Sequence, residues 1–264
     1  MLRPRIIPCL LLHNGGLVKT VAFDAPKYVG DPINAVRIFN EKEADELLVL
    51  DIDASVVGAE PNFKLVAQLA AECRMPLCYG GGIKTVEQAK RVSGLGVEKV
   101  AISSAVLEHS ALISALAAEL GRQSVVVVLD AKKVPTDHGY EVWTHNGRKP
   151  TGLAVEHAAA AAVYAGAGEV VINSIDNDGR MGGYDLDLAV RIRRVIDVPF
   201  TMLGGAGSLA DIGYLLKACG VVGAAAGSLF VFKGPFRAVL ISYPPTAQRE
   251  ELARANIPSA PQRV

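Results

Sequence analysis

Short apolar runs alternate along this chain with longer Ala- and Leu-rich stretches at helical spacing. The runs predict strands at 5–11, 46–52, 76–80, 98–102, 124–130, 168–173, 199–203 and 221–226. The stretches between them predict helices at 32–43, 62–73, 85–94, 109–120, 153–165, 185–196 and 208–218, with a looser one near 233–241. A run such as Ser124-Val-Val-Val-Val-Leu-Asp130 shows no polar alternation, as expected of a strand buried on both faces. Eight such strand–helix units predict an α/β fold, a (β/α)8 TIM barrel with a parallel sheet inside and helices outside. A doubly wound open sheet is the alternative. It usually carries a Gly-rich fingerprint after its first strand, and Gly15-Gly16 is too loose for one.

The pattern also repeats at long range. Asp45-Glu-Leu-Leu-Val-Leu-Asp-Ile-Asp53 resembles Gly168-Glu-Val-Val-Ile-Asn-Ser-Ile-Asp176, and Met75–Gly82 resembles Val198–Gly205. Glu46 and Glu169 stand 123 positions apart, as do Gly82 and Gly205. A shared offset predicts a barrel of two similar four-unit halves about a pseudo-twofold axis. The first strands then correspond too, so Leu11 is the counterpart of Asp130.

Three segments fall outside this repeat. Residues 13–31 read as a long loop over the active face, a candidate lid. Gly139-Tyr-Glu-Val-Trp-Thr144 alternates in the strand manner and is followed by Asn146-Gly147, which predicts a β-hairpin beyond Asp130. From Tyr243-Pro-Pro onwards the chain turns polar. Residues 1–242 are thus expected to form one barrel domain, and 243–264 a loosely ordered C-terminal tail.

Composition narrows the function classes. Half of the 264 residues are hydrophobic, which allows a large core, and 27 basic residues balance 27 acidic ones. That balance implies no bulk attraction to nucleic acid or membrane. No signal peptide or span of about 18 apolar residues is evident, so a cytoplasmic protein is expected. The four cysteines (Cys9, Cys73, Cys78, Cys219) sit in apolar surroundings and are expected to be reduced and buried. His13, His109, His138, His145 and His157 lack ligand spacing, so neither a metal nor a cofactor is expected.

Chemistry in such a barrel belongs at the C-terminal ends of the strands. Asp130 ends the fifth candidate strand there and is the first candidate for catalysis. Asp51, Asp53, Asp176 and Asp178 lie near the same mouth. Gly80-Gly-Gly82 with Ser103-Ser104, and Gly204-Gly205 with Gly227-Ser228, read as two phosphate sites. Glycines let backbone N–H groups approach an anion, although they also serve simply to make tight turns. One site per half fits a ligand with a phosphate at each end. Lys19 on the first loop is placed to reach an anion. At the opposite end Arg5, Glu46, Lys99 and Glu169 open four strands with alternating sign, a pattern that read alone favours a stabilising network.

Taken together these residues resemble the cyclase subunit (HisF) of imidazole glycerol phosphate synthase, from Arg5 to about Phe232. The resemblance rests on the Arg5-Ile-Ile-Pro-Cys-Leu start, Gly80–Ile83, Val127–Lys132, Ser174–Gly179, Gly183-Tyr-Asp185 and Gly204–Gly207. It implies a HisH-type glutaminase partner at the barrel base and ammonia admitted through a gate formed by Arg5, Glu46, Lys99 and Glu169. It also implies a two-phosphate nucleotide held at the top by Lys19, Gly82, Ser103, Ser104, Asp178, Gly205 and Ser228, and cleaved and cyclised by two aspartates. One of these maps to Asp130 and the other to Leu11, which cannot transfer a proton. The family's usual Asp-Gly-Arg in the first loop is here His13-Asn-Gly-Gly16. This combination looks like divergent HisF relatives that supply ammonia to a separate amidotransferase for amidination of a surface sugar (O-antigen). The alternative is the histidine-pathway cyclase itself, with Asp51, Asp53 or Asp176 substituting for the missing acid.

Overall fold

The computed structural model describes residues 3–105, 109, 111–135 and 139–256. In chain order the strands are β1 (Arg5–His13), β2 (Gly16–Val21), β3 (Asp24–Gly30), β4 (Leu47–Asp51), β5 (Leu77–Gly80), β6 (Lys99–Ile102), β7 (Val125–Lys133), β8 (Tyr140–Thr144), β9 (Lys149–Ala154), β10 (Glu169–Ser174), β11 (Phe200–Leu203) and β12 (Gly223–Ala226). The helices are α1 (Pro32–Glu41), α2 (Phe63–Glu72), α3 (Val86–Gly94), α4 (Ala111–Leu120), α5 (Val155–Ala165), α6 (Leu186–Val195), α7 (Leu209–Cys219), the short α8 (Ser228–Val231) and α9 (Thr246–Asn256).

Eight strands pair in parallel in the order β1-β4-β5-β6-β7-β10-β11-β12, and β12 pairs back to β1. The sheet is therefore a closed (β/α)8 barrel and has no open edge, which excludes the doubly wound alternative. Helices α1 to α7 each bury apolar residues against the barrel, and side-chain caps fix where several begin. Asp31 caps α1 ahead of Pro32, and reciprocal capping boxes start α3 (Thr85 with Gln88) and α7 (Ser208 with Asp211). Two cores result. A large one lies between helices and sheet. A smaller one fills the barrel with Ile7, Cys9, Leu48, Cys78, Ala101, Val126, Val128, Val171, Leu203 and Ala225, and Leu11 and Leu50 pack against it.

The repeat is visible in the register. Leu11 pairs with Leu50 on β1 and β4, and Asp130 pairs with Asn173 on β7 and β10. The first strand of each half also runs on beyond the barrel wall into a hairpin. The expected hairpin after Asp130 is β8–β9, which begins at Tyr140. Residues 13–31 differ from the expected loop: β2 and β3 pair as a second hairpin continuing β1.

Two expectations near the C-terminus are corrected. The looser helix at 233–241 is replaced by a small antiparallel pair, Phe232–Lys233 with Ala238–Val239. Gly234-Pro235 breaks any helix there. The stretch from Tyr243 is also not loose up to Asn256. Tyr243 is buried, its hydroxyl donates to Ile6 O at 2.7 Å, and Asp45 N donates to that hydroxyl at 3.1 Å. Helix α9 packs on α7, and its Arg249 pairs with Asp45. The remainder of the expected tail, 257–264, and His138 lie outside the described residues.

Candidate functional site

Both ends of the barrel carry organised polar groups. At the N-terminal end four charged side chains form a closed ring. Arg5 binds Glu46 and, through Nη2, Glu169 Oε1 at 2.7 Å. Lys99 Nζ reaches Glu46 Oε1 at 2.8 Å and Glu169 Oε2 at 3.0 Å. Each cation thus touches both anions. Glu46 and Glu169 are only 4% and 5% exposed, and burial at this level is tolerable because each carboxylate has two cationic partners. Arg5 and Lys99 hold the Glu169 carboxyl below the usual range against the opposing effect of burial. Thr201, which the sequence reading missed, adds a 2.6 Å hydrogen bond to Glu169.

Beside this ring lies a void of about 10 Å³ lined by Ile7, Leu48, Cys78, Val126, Val171, Glu46, Glu169 and Thr201. That is close to the least space one water needs. Above it the interior is apolar as far as the C-terminal mouth, where a cavity of about 410 Å³ opens. Of the candidates named for that end, Lys19, Asp51, Gly82, Ser103, Ser104, Asp130, Asp178, Gly205 and Ser228 line this cavity, whereas Asp53 and Asp176 do not.

Asp130 is the most perturbed acid in the cavity. Burial pushes its carboxyl up to about 7, and the Asp178 charge adds to the rise. A 3.1 Å hydrogen bond donated by Asn173 Nδ2 works the other way. A carboxyl titrating near neutrality suits general acid–base work. Leu11 and Leu50 line the same cavity, so the counterpart of the Asp130–Asn173 pair is purely apolar. Asn173 was not among the expected site residues. Its signal was the mismatch with Leu50, its counterpart in the repeat.

Lys19 is 6% exposed, and burial lowers its pKa. Its Nζ donates to Cys9 O at 2.6 Å. Gly227 makes room for it, since a Cβ there would stand 2.6 Å from Nζ. Asp178 accepts from Thr20 Oγ1 at 2.6 Å and from Phe23 N at 3.3 Å, and burial raises its pKa.

The two hairpins arch over this mouth, and each docks on the half it does not belong to. Hairpin β2–β3 reaches the loop after β10, where Thr20 and Phe23 bind Asp178 and Ala22 N donates to Asp178 O at 2.9 Å. Hairpin β8–β9 reaches the loop after β4, where Asn146 Nδ2 donates to Ile52 O at 2.8 Å. Their tips meet, because a Cβ on Gly147 would stand 3.1 Å from the Phe23 ring.

The glycines have a local cause as well. Gly205 (φ +108°) packs so closely that a Cβ would lie 2.1 Å from Gly183 O. Of the proposed substitute acids, Asp51 lines the cavity and accepts from Asp53 N and Ala54 N. Asp53 is held by His13 at 2.7 Å, and Asp176 accepts from Lys133 N at 2.8 Å. Among the described residues no cluster of His, Cys, Asp and Glu could hold a metal, and no helix is long and apolar enough to cross a membrane.

Comparison with known proteins agrees with this geometry. The profile of the family described as "Histidine biosynthesis protein" matches residues 5–237. A "Putative imidazole glycerol phosphate synthase subunit HisF" of Leptospira borgpetersenii is 55% identical over 252 residues, covering 96% of this chain and 99% of that protein. A "Putative imidazole glycerol phosphate synthase subunit hisF2" of Pseudomonas aeruginosa is 53% identical over 244 residues, covering 92% and 97%. The "Imidazole glycerol phosphate synthase subunit HisF" of Hyphomonas neptunium is 41% identical over 232 residues, covering 88% and 91%. The chain belongs to the histidine biosynthesis protein family and, within it, groups with the HisF subunits of imidazole glycerol phosphate synthase.

Proposed function

We propose that this chain is the barrel subunit of a glutamine-dependent synthase of the imidazole glycerol phosphate synthase type. A HisH-type glutaminase docks at the base, ammonia enters through the ring of Arg5, Glu46, Lys99 and Glu169, and it emerges in the cavity beside Asp130. There Lys19, Gly82, Ser103, Ser104, Gly205 and Ser228 hold the two phosphates of a nucleotide, with Asp178 near the substrate, and Asp130 transfers protons. The observation that carries this reading is an ion-ringed base and a cavity with a near-neutral carboxyl at opposite ends of one apolar interior. The names of these relatives favour the histidine-pathway reaction, ammonia-dependent cleavage and cyclisation, over the surface-sugar role, which those names do not mention.

Leu11 keeps a second reading in play, in which the chain delivers ammonia to an acceptor on another protein. General acid–base catalysis is typically worth 10²–10⁴-fold, so loss of one of two acids weighs heavily. The deciding experiment is cyclisation of the histidine-pathway nucleotide driven by ammonium salt, with the native chain, Leu11→Asp and Asp130→Asn. Turnover by the native chain that Asp130→Asn abolishes supports the synthase reading. An inert native chain that gains activity as Leu11→Asp points to ammonia delivery alone. A parallel mixture with a HisH-type glutaminase tests the shared part, and no stimulation of glutamine hydrolysis would overturn both readings.

A further inference from the structure

Two histidines line the cavity, His109 and His145. His109 is exposed and stands just ahead of α4. His145 is half-buried and is placed by the hairpin that grows from the strand of Asp130. Strand β8 runs back towards the mouth with Trp143 beside Asp130, and the turn after Thr144 crosses to the other half, where Asn146 Nδ2 holds Ile52 O. Ile52 comes just after β4, on which Leu50 pairs with Leu11. One turn thus carries an imidazole from the strand that kept its acid to the side that has none. His145 and Asn146 both take left-handed backbone there (φ +53° and +56°), which is uncommon outside glycine. The ring is held by the buried Thr144 hydroxyl, 3.0 Å from His145 Nδ1 and 3.4 Å from Lys149 O. A carbonyl can only accept, so the hydroxyl donates to Lys149 O and takes the Nδ1 proton in return. That tautomer leaves a lone pair on Nε2, which has no partner among the described residues. The carboxylates considered as substitutes are less free. Asp53 and Asp176 do not line the cavity, and Asp51 Oδ1 is taken by two backbone N–H groups.

We propose that His145 is the second proton-transfer residue of this cavity and supplies the function that Leu11 cannot. The assignment rests on the synthase reading given above. When a nitrogen attacks carbon, the new C–N bond leaves that nitrogen with one proton too many, and His145 Nε2 accepts it. When the old C–N bond breaks, the departing nitrogen takes the electron pair and needs a proton, which the protonated Asp130 carboxyl gives. The imidazolium and the carboxylate that remain exchange that proton through solvent, so both groups return to their starting forms. One neutral base and one neutral acid thus do the work of two carboxyl groups.

The test is ammonium-driven cyclisation of the histidine-pathway nucleotide by the full-length native chain, His145→Gly and His145→Asn. Glycine and asparagine both accept left-handed backbone, so neither strains the turn. In both variants kcat should fall by about 10²-fold or more with little change in KM. Free imidazole should restore part of the rate, saturably, in His145→Gly, where the ring leaves a gap, and not in His145→Asn. A loss without such rescue, or a rise in KM alone, would overturn the assignment. Unchanged rates in both variants, with Asp130→Asn inactive, would overturn it and leave the synthase reading standing. A second measurement needs no turnover: nitrogen NMR of His145 in alkaline buffer should show a neutral ring with its proton on Nδ1, and a proton on Nε2 would overturn the assignment. An inert native chain that still stimulates a HisH-type glutaminase would remove this role while keeping the barrel subunit, whereas absent stimulation would be the failure of the reading beneath it.

Discussion

Leu11 and Asp130 hold the same step of two repeated strand pairs, Leu11 beside Leu50 on β4 and Asp130 beside Asn173 on β10. One barrel thus presents an apolar pair and a polar pair at equivalent positions. The burial of Asp130 follows in part from this wall, because a carboxylate facing leucines is poorly solvated.

The raised Asp130 pKa has a consequence for stability. Burial places the folded-state value at about 7, above the ordinary carboxylate value of 3.8. Between these values the folded chain binds more protons than the unfolded one, so stability falls as pH rises from about 4 to about 7. Asp130→Asn removes that penalty. The variant should melt a few degrees above the native chain at pH 8, roughly 1 kcal/mol or more, and the gap should shrink at pH 5. Thermal melts at the two pH values check this, and a gap independent of pH would contradict it.

The base ring should be sensitive to loss of one member. Arg5→Ala leaves Glu46 and Glu169 buried with Lys99 as their shared cation. Removing one partner of a buried ion pair typically costs about 3–5 kcal/mol. Arg5 is itself 26% exposed in its side chain, which places the expected loss at the lower end. Urea unfolding should show the midpoint drop with little change in slope.

The tail contributes through one hydroxyl. Tyr243 joins Asp45, the neighbour of Glu46, to Ile6, the neighbour of Arg5. Tyr243→Phe would strand a buried N–H and a buried C=O at a cost of about 1–3 kcal/mol. Hydrogen exchange should quicken at Ile6 and Asp45 in this variant while the amides of β7 and β10 stay protected.

Gly179 tests the arch over the mouth. It has φ +66°, and a Cβ there would stand 1.9 Å from Thr20 O. Gly179→Ala must therefore push hairpin β2–β3 off the loop that holds Asp178. Faster hydrogen exchange confined to residues 16–30, with the barrel strands unaffected, is the expected result. Unchanged exchange in that hairpin would show that the dock tolerates the methyl group.

Much of this structure was legible in the sequence, because strands buried on both faces read as unbroken apolar runs and the halves repeat at a fixed offset. Strand ends placed Arg5, Glu46, Lys99 and Glu169 together at the base and Asp130 at the mouth, whereas the gate role and the individual phosphate-holding roles are implied only by the family resemblance. What escaped had specific causes. Leu17-Val-Lys-Thr-Val21 reads as loop because Lys19 looks like a solvated residue, yet its side chain is buried. Helix α9 has no buried residue of its own, and it is held by Arg249 on Asp45 and by packing on α7. Asn173 left one trace in the sequence, its mismatch with Leu50 in the repeat, and its bond to Asp130 is seen only in the structure.

The crossed hairpins make the two halves mutually dependent. Each half supplies four strands, but the roof over either half is grown by the other. A single half cut free would lose the partner loop its hairpin rests on and uncover the mouth of its own strands. The chain thus behaves as a clasp: the repeat that built it is still readable, while neither copy retains a complete chamber.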